Sequence, residues 1–327
     1  MARIFSGIQP TGDVHLGNYL GALRSWVSEQ DQHECFYSIV DLHALTLRQN
    51  PEELRANTLT TATMLLAIGI DPARSALFVQ SDVHEHAELT WVLSCLVSFG
   101  ELRRMTQFKD KASRGTEVHA SAGLFAYPVL QAADILLYQA ERILVGGDQR
   151  QHLELARALA VRFNQRFGAV FCIPKAIIPG RGARIMDLQD PRKKMSKSAE
   201  SQRGTIRLVD APEDIRKKIR SAVTDSSREI IASADKPAIT NLLTIYSALA
   251  GKSLPAVEDA FTNSSYEKFK AALADVVINT LRPIRERYVQ WVASPNEVVR
   301  YLHAGASQAT LIASDTLRSV YERVGLL

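Results

Sequence analysis

Short apolar runs alternate with helical patterns through the first half of this chain, and that alternation constrains its fold more than any other feature. Ile4-Phe5-Ser6-Gly7 reads as a strand that breaks into the turn signal Gln9-Pro10-Thr11-Gly12-Asp13. Apolar residues then recur at Val14, Tyr19, Leu20, Leu23, Trp26 and Val27, the spacing of one helix face. Glu34 to Val40 reads as a second strand and Leu77 to Gln80 as a third, with helical patterns beginning near Pro51 and Glu85. Strands alternating with helices predict an α/β fold, a parallel sheet covered by helices, with ligands at the carboxyl ends of the strands. From about Arg207 onward only helix signals recur, so a smaller helical part is expected to follow. At 327 residues the chain has room for two such parts.

Composition narrows the class. With 46% hydrophobic and 23% charged residues this is an ordinary globular chain. The longest apolar stretch, Trp91 to Phe99, is far below the ~20 residues of a membrane span, so no membrane association is expected. Being apolar on all sides, it predicts a helix buried in the core or in a subunit interface. The amino-terminal residues carry no apolar signal core, and Cys35, Cys95 and Cys172 form no pair with metal or disulfide spacing. A reduced, cytoplasmic compartment is therefore expected. Net charge is only +4, yet twelve basic and six acidic residues fall between Arg181 and Arg220, a local balance of +6. Such a run predicts a polyanion site, with a solvated charged face as the competing reading.

Two motifs carry chemistry. In Gln9-Pro10-Thr11-Gly12-Asp13-Val14-His15-Leu16-Gly17-Asn18 a strand runs through a turn into a helix. A helix amino terminus offers unpaired N–H groups to phosphate, and Gly17 lets a base or phosphate approach the backbone. His15 and Asn18 could donate hydrogen bonds, although His-x-Gly-Asn alone equally fits a plain helix entry. The second motif, Lys193-Lys194-Met195-Ser196-Lys197-Ser198, lies between Pro191 and Gly204. Two lysines three apart with small hydroxyl residues between them suit a loop that closes on a triphosphate. The Lys-, Ser- and Arg-rich block Phe108 to Ala120 reads as a further loop.

Taken in order, these segments resemble the class I aminoacyl-tRNA synthetases, in their tryptophanyl branch. The resemblance spans essentially the whole chain. It adds Val40-Asp41-Leu42-His43-Ala44-Leu45-Thr46, Arg104-Met105-Thr106-Gln107-Phe108-Lys109, Tyr127-Pro128 and Ala132-Ala133-Asp134-Ile135-Leu136-Leu137-Tyr138. Further matches are Gly182-Ala183-Arg184-Ile185-Met186 and Ser221-Ala222-Val223-Thr224-Asp225-Ser226. Where class I enzymes show a second His in the first motif, Asn18 stands, as is usual in the tryptophanyl branch.

The resemblance implies a Rossmann-like catalytic domain over 1–205, including the lysine loop, and a helical anticodon-binding domain over 206–327. It implies a ligase that forms an aminoacyl-adenylate from L-tryptophan and ATP with Mg²⁺, then charges tRNA(Trp), as a homodimer. Gln9, Pro10, Thr11, His15, Gly17 and Asn18 would hold ATP, with Gly146, Gly147 and Asp148 at the ribose and Ile185 near the adenine. Lys194, Met195, Ser196, Lys197 and Ser198 would close over the phosphates. There Lys194 and Lys197, with Lys111, would stabilise the departing pyrophosphate; for Lys111 a solvated loop lysine is the alternative. Metal would be held by the ATP phosphates, with no protein ligand set. Phe5, Gly7, His43, Ile143 and Val145 would wall the indole, Gln131 would adjoin it, and Tyr127 and Gln149 would meet the ammonium or carboxylate.

Asp134, in an otherwise apolar helix, is the physical key to that pocket. A buried carboxylate needs donors, and an indole N–H is a donor only; taken alone, a capping or ion-paired Asp fits the position equally, and the resemblance favours the ligand. Three positions lean instead towards the tyrosyl branch: Gln131, Gly147 and Arg150. Against them, Phe5 cannot supply the hydroxyl partner that a phenol needs.

Overall fold

The computed structural model describes residues 1–105, 121–144, 149–177, 184–196, 202–225, 227 and 229–326. The expected loop 108–120 therefore lies outside the described residues. Five parallel strands, β1 (Arg3–Ile8), β2 (Glu34–Ile39), β3 (Ser75–Val79), β4 (Arg142–Leu144) and β5 (Lys175–Ile177), pair in the order β3-β2-β1-β4-β5. The three strands read from the sequence are present, and β4 and β5, with three residues each, join them on the far side of β1.

Alternation along the strands sends side chains to two separate cores. Ile4, Tyr37, Ile39 and Leu77 face one side, and Phe5, Phe36, Phe78 and Ile143 the other. Burial on both faces is what a parallel sheet covered by helices requires. The first face takes the helices α1 (Leu16–Asn18), α2 (Arg24–Glu29) and α4 (Pro51–Ile68). Between them stand a π-helical turn, Tyr19–Leu23, and the one-turn helix α3 (Asp41–Ala44). The second face takes α5 (Glu85–Ser94), α6 (Phe99–Arg103), α7 (Ala122–Leu137) and α8 (Arg150–Phe167).

After Gln202–Gly204 the described chain is helical: α9 (Pro212–Arg220), α10 (Pro237–Ala250), α11 (Leu254–Ala260), α12 (Tyr266–Val292) and α13 (Pro295–Val324). The first four pack among themselves and onto α4. The last returns to the sheet and runs along β3, the strand at its edge. Gly305 makes that approach possible: a Cβ there would stand 2.0 Å from the carbonyl oxygen of Leu77. Around it Leu302, Ala306, Ala309, Ala313 and Leu317 are buried at helical spacing.

Trp91 to Phe99 departs from expectation. The run is not one buried helix: α5 ends at Ser94, and Ser98 caps the next helix by accepting from Glu101 N. Two helices meet there, so Leu93 is buried while Trp91 is 73% and Phe99 70% exposed. Phe99 and Phe125 stand with ring centroids 4.9 Å apart. Among the described residues no helix is long and apolar enough to cross a membrane.

Candidate active site

The strand order places the site. β2 and β3 lie on one side of β1, β4 and β5 on the other, so connections leave the carboxyl ends of β1 and β4 in opposite directions. Pairing between β1 and β4 holds at Ile4↔Arg142 and Phe5↔Ile143, and beyond it the Ser6 hydroxyl still donates to the Leu144 carbonyl at 2.7 Å. A cavity of about 390 Å³ opens there, within the ~300–1,000 Å³ of small-molecule sites. It gathers Phe5, Gly7, Gln9, His43, Tyr127, Gln131, Asp134, Ile143 and Gln149, residues from five segments that the sequence singled out. Val145, the remaining wall residue expected, lies outside the described residues.

In this cavity Asp134 is 1% exposed, and both of its carboxylate oxygens are hydrogen-bonded. His43 Nε2 stands 2.8 Å from Oδ2; His86 Nδ1 and Gln80 Nε2 each stand 2.6 Å from Oδ1. Burial pushes the carboxyl up, but the two imidazoles outweigh it and hold Asp134 at about 2. The group is thus a carboxylate, an acceptor only, at the foot of an aromatic wall. Phe5 stacks on Tyr138 at 5.4 Å with planes 5° apart, which fixes its ring beside the cavity.

At the outer end, Tyr127 is buried with its hydroxyl 2.8 Å from His152 Nε2, and desolvation pushes it up to about 12. Gln131 Nε2 donates to Gln149 Oε1 at 3.2 Å, so the residue that leans towards the tyrosyl pattern is tied to one that adjoins the amino-acid backbone in the implied pocket. Gln80, His86 and Tyr138 were not singled out from sequence as site residues. Gln80 directly follows β3 and His86 lies in the first turn of α5, and nothing in their local spacing signals a shared partner about fifty residues away.

The first motif is assembled as a capping box. His15 Nδ1 accepts from Asn18 N, and Asn18 Oδ1 accepts from His15 N at 3.2 Å. With Nδ1 accepting, the ring hydrogen sits on Nε2, and the Asn18 amide keeps its NH₂ as donor. Gly17 is buried, and a Cβ there would stand 3.4 Å from Met195 Cβ. The two motifs therefore touch, although 178 positions separate Gly17 from Met195. Leu16 N donates to Ile206 O and Leu208 N to Val14 O, which bind the segment after the lysines to the loop after β1.

Within the lysine motif Met195 is buried, with its N–H on the Ile185 carbonyl, and Lys194 is exposed. The Ser196 carbonyl accepts from Thr205 Oγ1 at 2.8 Å. Ile185 itself is a core side chain, 1% exposed. Pro10 is buried, and Gln9 and Thr11 are exposed at the turn. Lys111, Gly146, Gly147, Asp148, Lys197 and Ser198 lie outside the described residues.

Part of the basic run gathers into one cavity of about 460 Å³ between Gln202–Gly204 and α9, lined by Arg203, Arg207, Lys217, Lys218, Arg220, Asp210 and Asp214. Asp210 receives Lys218 Nζ at 2.6 Å and Arg207 Nε at 3.3 Å. Lys217 and Arg220 are exposed. Among the described residues no cluster of three His, Cys, Asp or Glu could hold a metal ion.

This arrangement has known counterparts. A model of the family described as tRNA synthetases class I (W and Y) matches residues 1–282. A "Tryptophan--tRNA ligase 2" of Streptomyces avermitilis is 53% identical over 99% of this chain and 97% of its own length. The crystal structure of tryptophanyl-tRNA synthetase from Mycoplasma pneumoniae superposes with a TM-score of 0.90 at 40% identity, covering 99% of this chain and 98% of that one. The corresponding enzyme of Campylobacter jejuni, complexed with ADP and tryptophan, superposes at 0.84 with 35% identity over 99% of each chain.

Proposed function

The chain belongs to the class I tRNA synthetases of the tryptophanyl and tyrosyl group, and we propose that it is a tryptophan–tRNA ligase. The observation that carries the choice of amino acid is the buried Asp134 carboxylate beside Phe5. An indole N–H, which only donates, meets an acceptor-only group. A phenol, which also accepts, finds a phenylalanine ring where it would need a hydroxyl.

On this reading tryptophan lies against Phe5, Gly7, His43, Gln131, Ile143 and Val145, with its ammonium and carboxylate towards Tyr127 and Gln149. Gln9, Pro10, Thr11, His15, Gly17 and Asn18 hold ATP, with Gly146, Gly147, Asp148 and the Ile185 backbone at its ribose and base. The tryptophan carboxylate is already a nucleophile, so it attacks the α-phosphorus directly and pyrophosphate leaves. Catalysis is then alignment together with charge stabilisation on the phosphates. Lys194 and Lys197, at either end of Met195-Ser196 and followed by Ser198, neutralise the pyrophosphate together with Lys111. Mg²⁺ would be held by the phosphates and would add to the neutralisation of their charge. In the second step the aminoacyl group passes to the 3′-terminal adenosine of tRNA(Trp).

The basic cavity beside α9 supports contact with tRNA phosphates through counterion release. We assign catalysis to 1–205 and anticodon binding to the helices of 206–327, in a cytoplasmic homodimer whose contact includes the exposed Trp91 and Phe99.

The test is amino-acid-dependent ATP–pyrophosphate exchange on the purified protein, with tryptophan and tyrosine in parallel. Exchange with tryptophan alone is expected. Exchange with tyrosine would make Gln131, Gly147 and Arg150 the better guides. Absence of both would point to a paralogue that binds these ligands without charging tRNA.

A further inference from the structure

Behind the cavity, and not among the residues that line it, stands a chain of three buried groups that the reaction itself does not use. His86 is 0% exposed, with Nδ1 2.6 Å from Asp134 Oδ1 and Nε2 2.8 Å from the Tyr138 hydroxyl. Tyr138 is buried among Phe5, Phe36 and Phe78. Among the described residues its hydrogen has one acceptor, His86 Nε2. Gln80, also 0% exposed, donates to the same Oδ1 at 2.6 Å.

The direction of every hydrogen in this chain follows from its ends. The carboxylate has no hydrogen, so His86 Nδ1 donates to it. Burial and the neighbouring Asp134 and Glu85 carboxylates push the Tyr138 phenol well up, so it keeps its hydrogen and donates to Nε2. The tautomer of His86 is thereby set from behind. Oδ1 accepts two hydrogen bonds and is saturated, while Oδ2 accepts one, from His43, and keeps a lone pair. Asp134 and His43 line the cavity, whereas Gln80, His86 and Tyr138 do not.

We propose that His86, oriented by Tyr138, is a positioning residue for amino-acid selection: it pins Asp134 so that a single acceptor lone pair faces the pocket, and thereby selects a ring that donates. This rests on the reading of the cavity as the tryptophan pocket. Without the His86 donor, Oδ1 loses one of its two hydrogen bonds and the carboxyl is free to turn or to take up a proton. It would then offer an O–H where the indole needs an acceptor.

The experiment compares tryptophan with its benzothiophene isostere, in which sulfur replaces the N–H, in pyrophosphate exchange by the full-length protein. His86→Leu is expected to raise KM for tryptophan about tenfold while leaving KM for ATP and the isostere's kcat/KM in place, so the preference for tryptophan falls by the same factor. His86→Gln, whose amide can donate to Asp134 and accept from Tyr138, should recover most of that preference. Tyr138→Phe keeps the ring packing and removes only the hydroxyl; a fall of about threefold in the preference is expected. If the leucine variant does not fold, this tyrosine variant decides.

An unchanged preference in a folded His86→Leu or Tyr138→Phe protein, or parallel losses with both amino acids, would overturn the assignment. A wild-type protein without tryptophan-dependent exchange would overturn the pocket reading itself, and the assignment with it, before any variant is made.

Discussion

Replacing Asp134 by alanine lowers kcat/KM for tryptophan in pyrophosphate exchange by about 10²–10³ and changes KM for ATP little. The substitution removes the acceptor for the indole N–H. It also strands the Gln80, His86 and His43 donors in a buried site, each at a cost of about 1–3 kcal/mol. Thermal stability therefore falls with activity. Asp134→Asn preserves shape but sets an amide against three donors, and should lose nearly as much.

The same network fixes the pH behaviour. The folded-state pKa of Asp134 is depressed, from 3.8 to about 2, so its contribution to stability is complete above the ordinary carboxylate range and disappears only as pH falls through about 2. KM for tryptophan should accordingly show no inflection from this group between about pH 5 and 9. A folded Asp134→Ala protein with wild-type exchange would remove the carboxylate from recognition altogether.

Among the described glycines Gly305 is the one whose added methyl would run into the backbone of a paired strand, and Gly305→Ala is expected to cost stability heavily. Its Cβ would lie 2.0 Å from the Leu77 carbonyl oxygen, 2.7 Å from the carbonyl carbon and 2.9 Å from the nitrogen. All three are backbone atoms of a paired strand and cannot swing aside. Alanine gains about 1 kcal/mol of helix propensity over glycine. Sterics outweigh that gain, because α13 must lift off the sheet and loosen Leu302, Ala306 and Ala309. A net loss of about 2–4 kcal/mol is expected, read as a lower urea midpoint with tryptophan binding retained at low denaturant. A midpoint equal to or above that of the parent protein would show that the helix can yield without loss.

The parts of this fold legible in the sequence were those whose signal is local. β1, β2 and β3 announce themselves as apolar runs between turn signals. β4 and β5 do not: Arg142-Ile143-Leu144 and Lys175-Ala176-Ile177 are too short for periodicity, and pairing with neighbours makes them strands. Trp91 to Phe99 misleads for the converse reason, since composition cannot reveal that Ser98 stops one helix by starting another. Asp134 stood out because a carboxylate among Ala, Ile and Leu must find donors, but only the resemblance favoured a ligand role over a capping or ion-paired one. The identity of those donors was not, because His43, Gln80 and His86 come from three segments that only the sheet brings together. The return of α13 to β3 was equally hidden, since a stripe of small buried residues says that something packs closely and not what.

The chain has three tryptophans, and their settings differ. Trp26 is buried and stacked on Tyr37 at 4.7 Å, Trp291 is half-buried against Tyr301, and Trp91 stands 73% in solvent. Excited beyond the tyrosine band, the free chain therefore emits a red component that belongs to Trp91. Whatever covers that surface moves the component to shorter wavelength and shields it from an aqueous quencher, while the Trp26 emission stays where it is. Dilution of the unlabelled protein then reads its own assembly as a colour change, with Trp91→Phe as the blank.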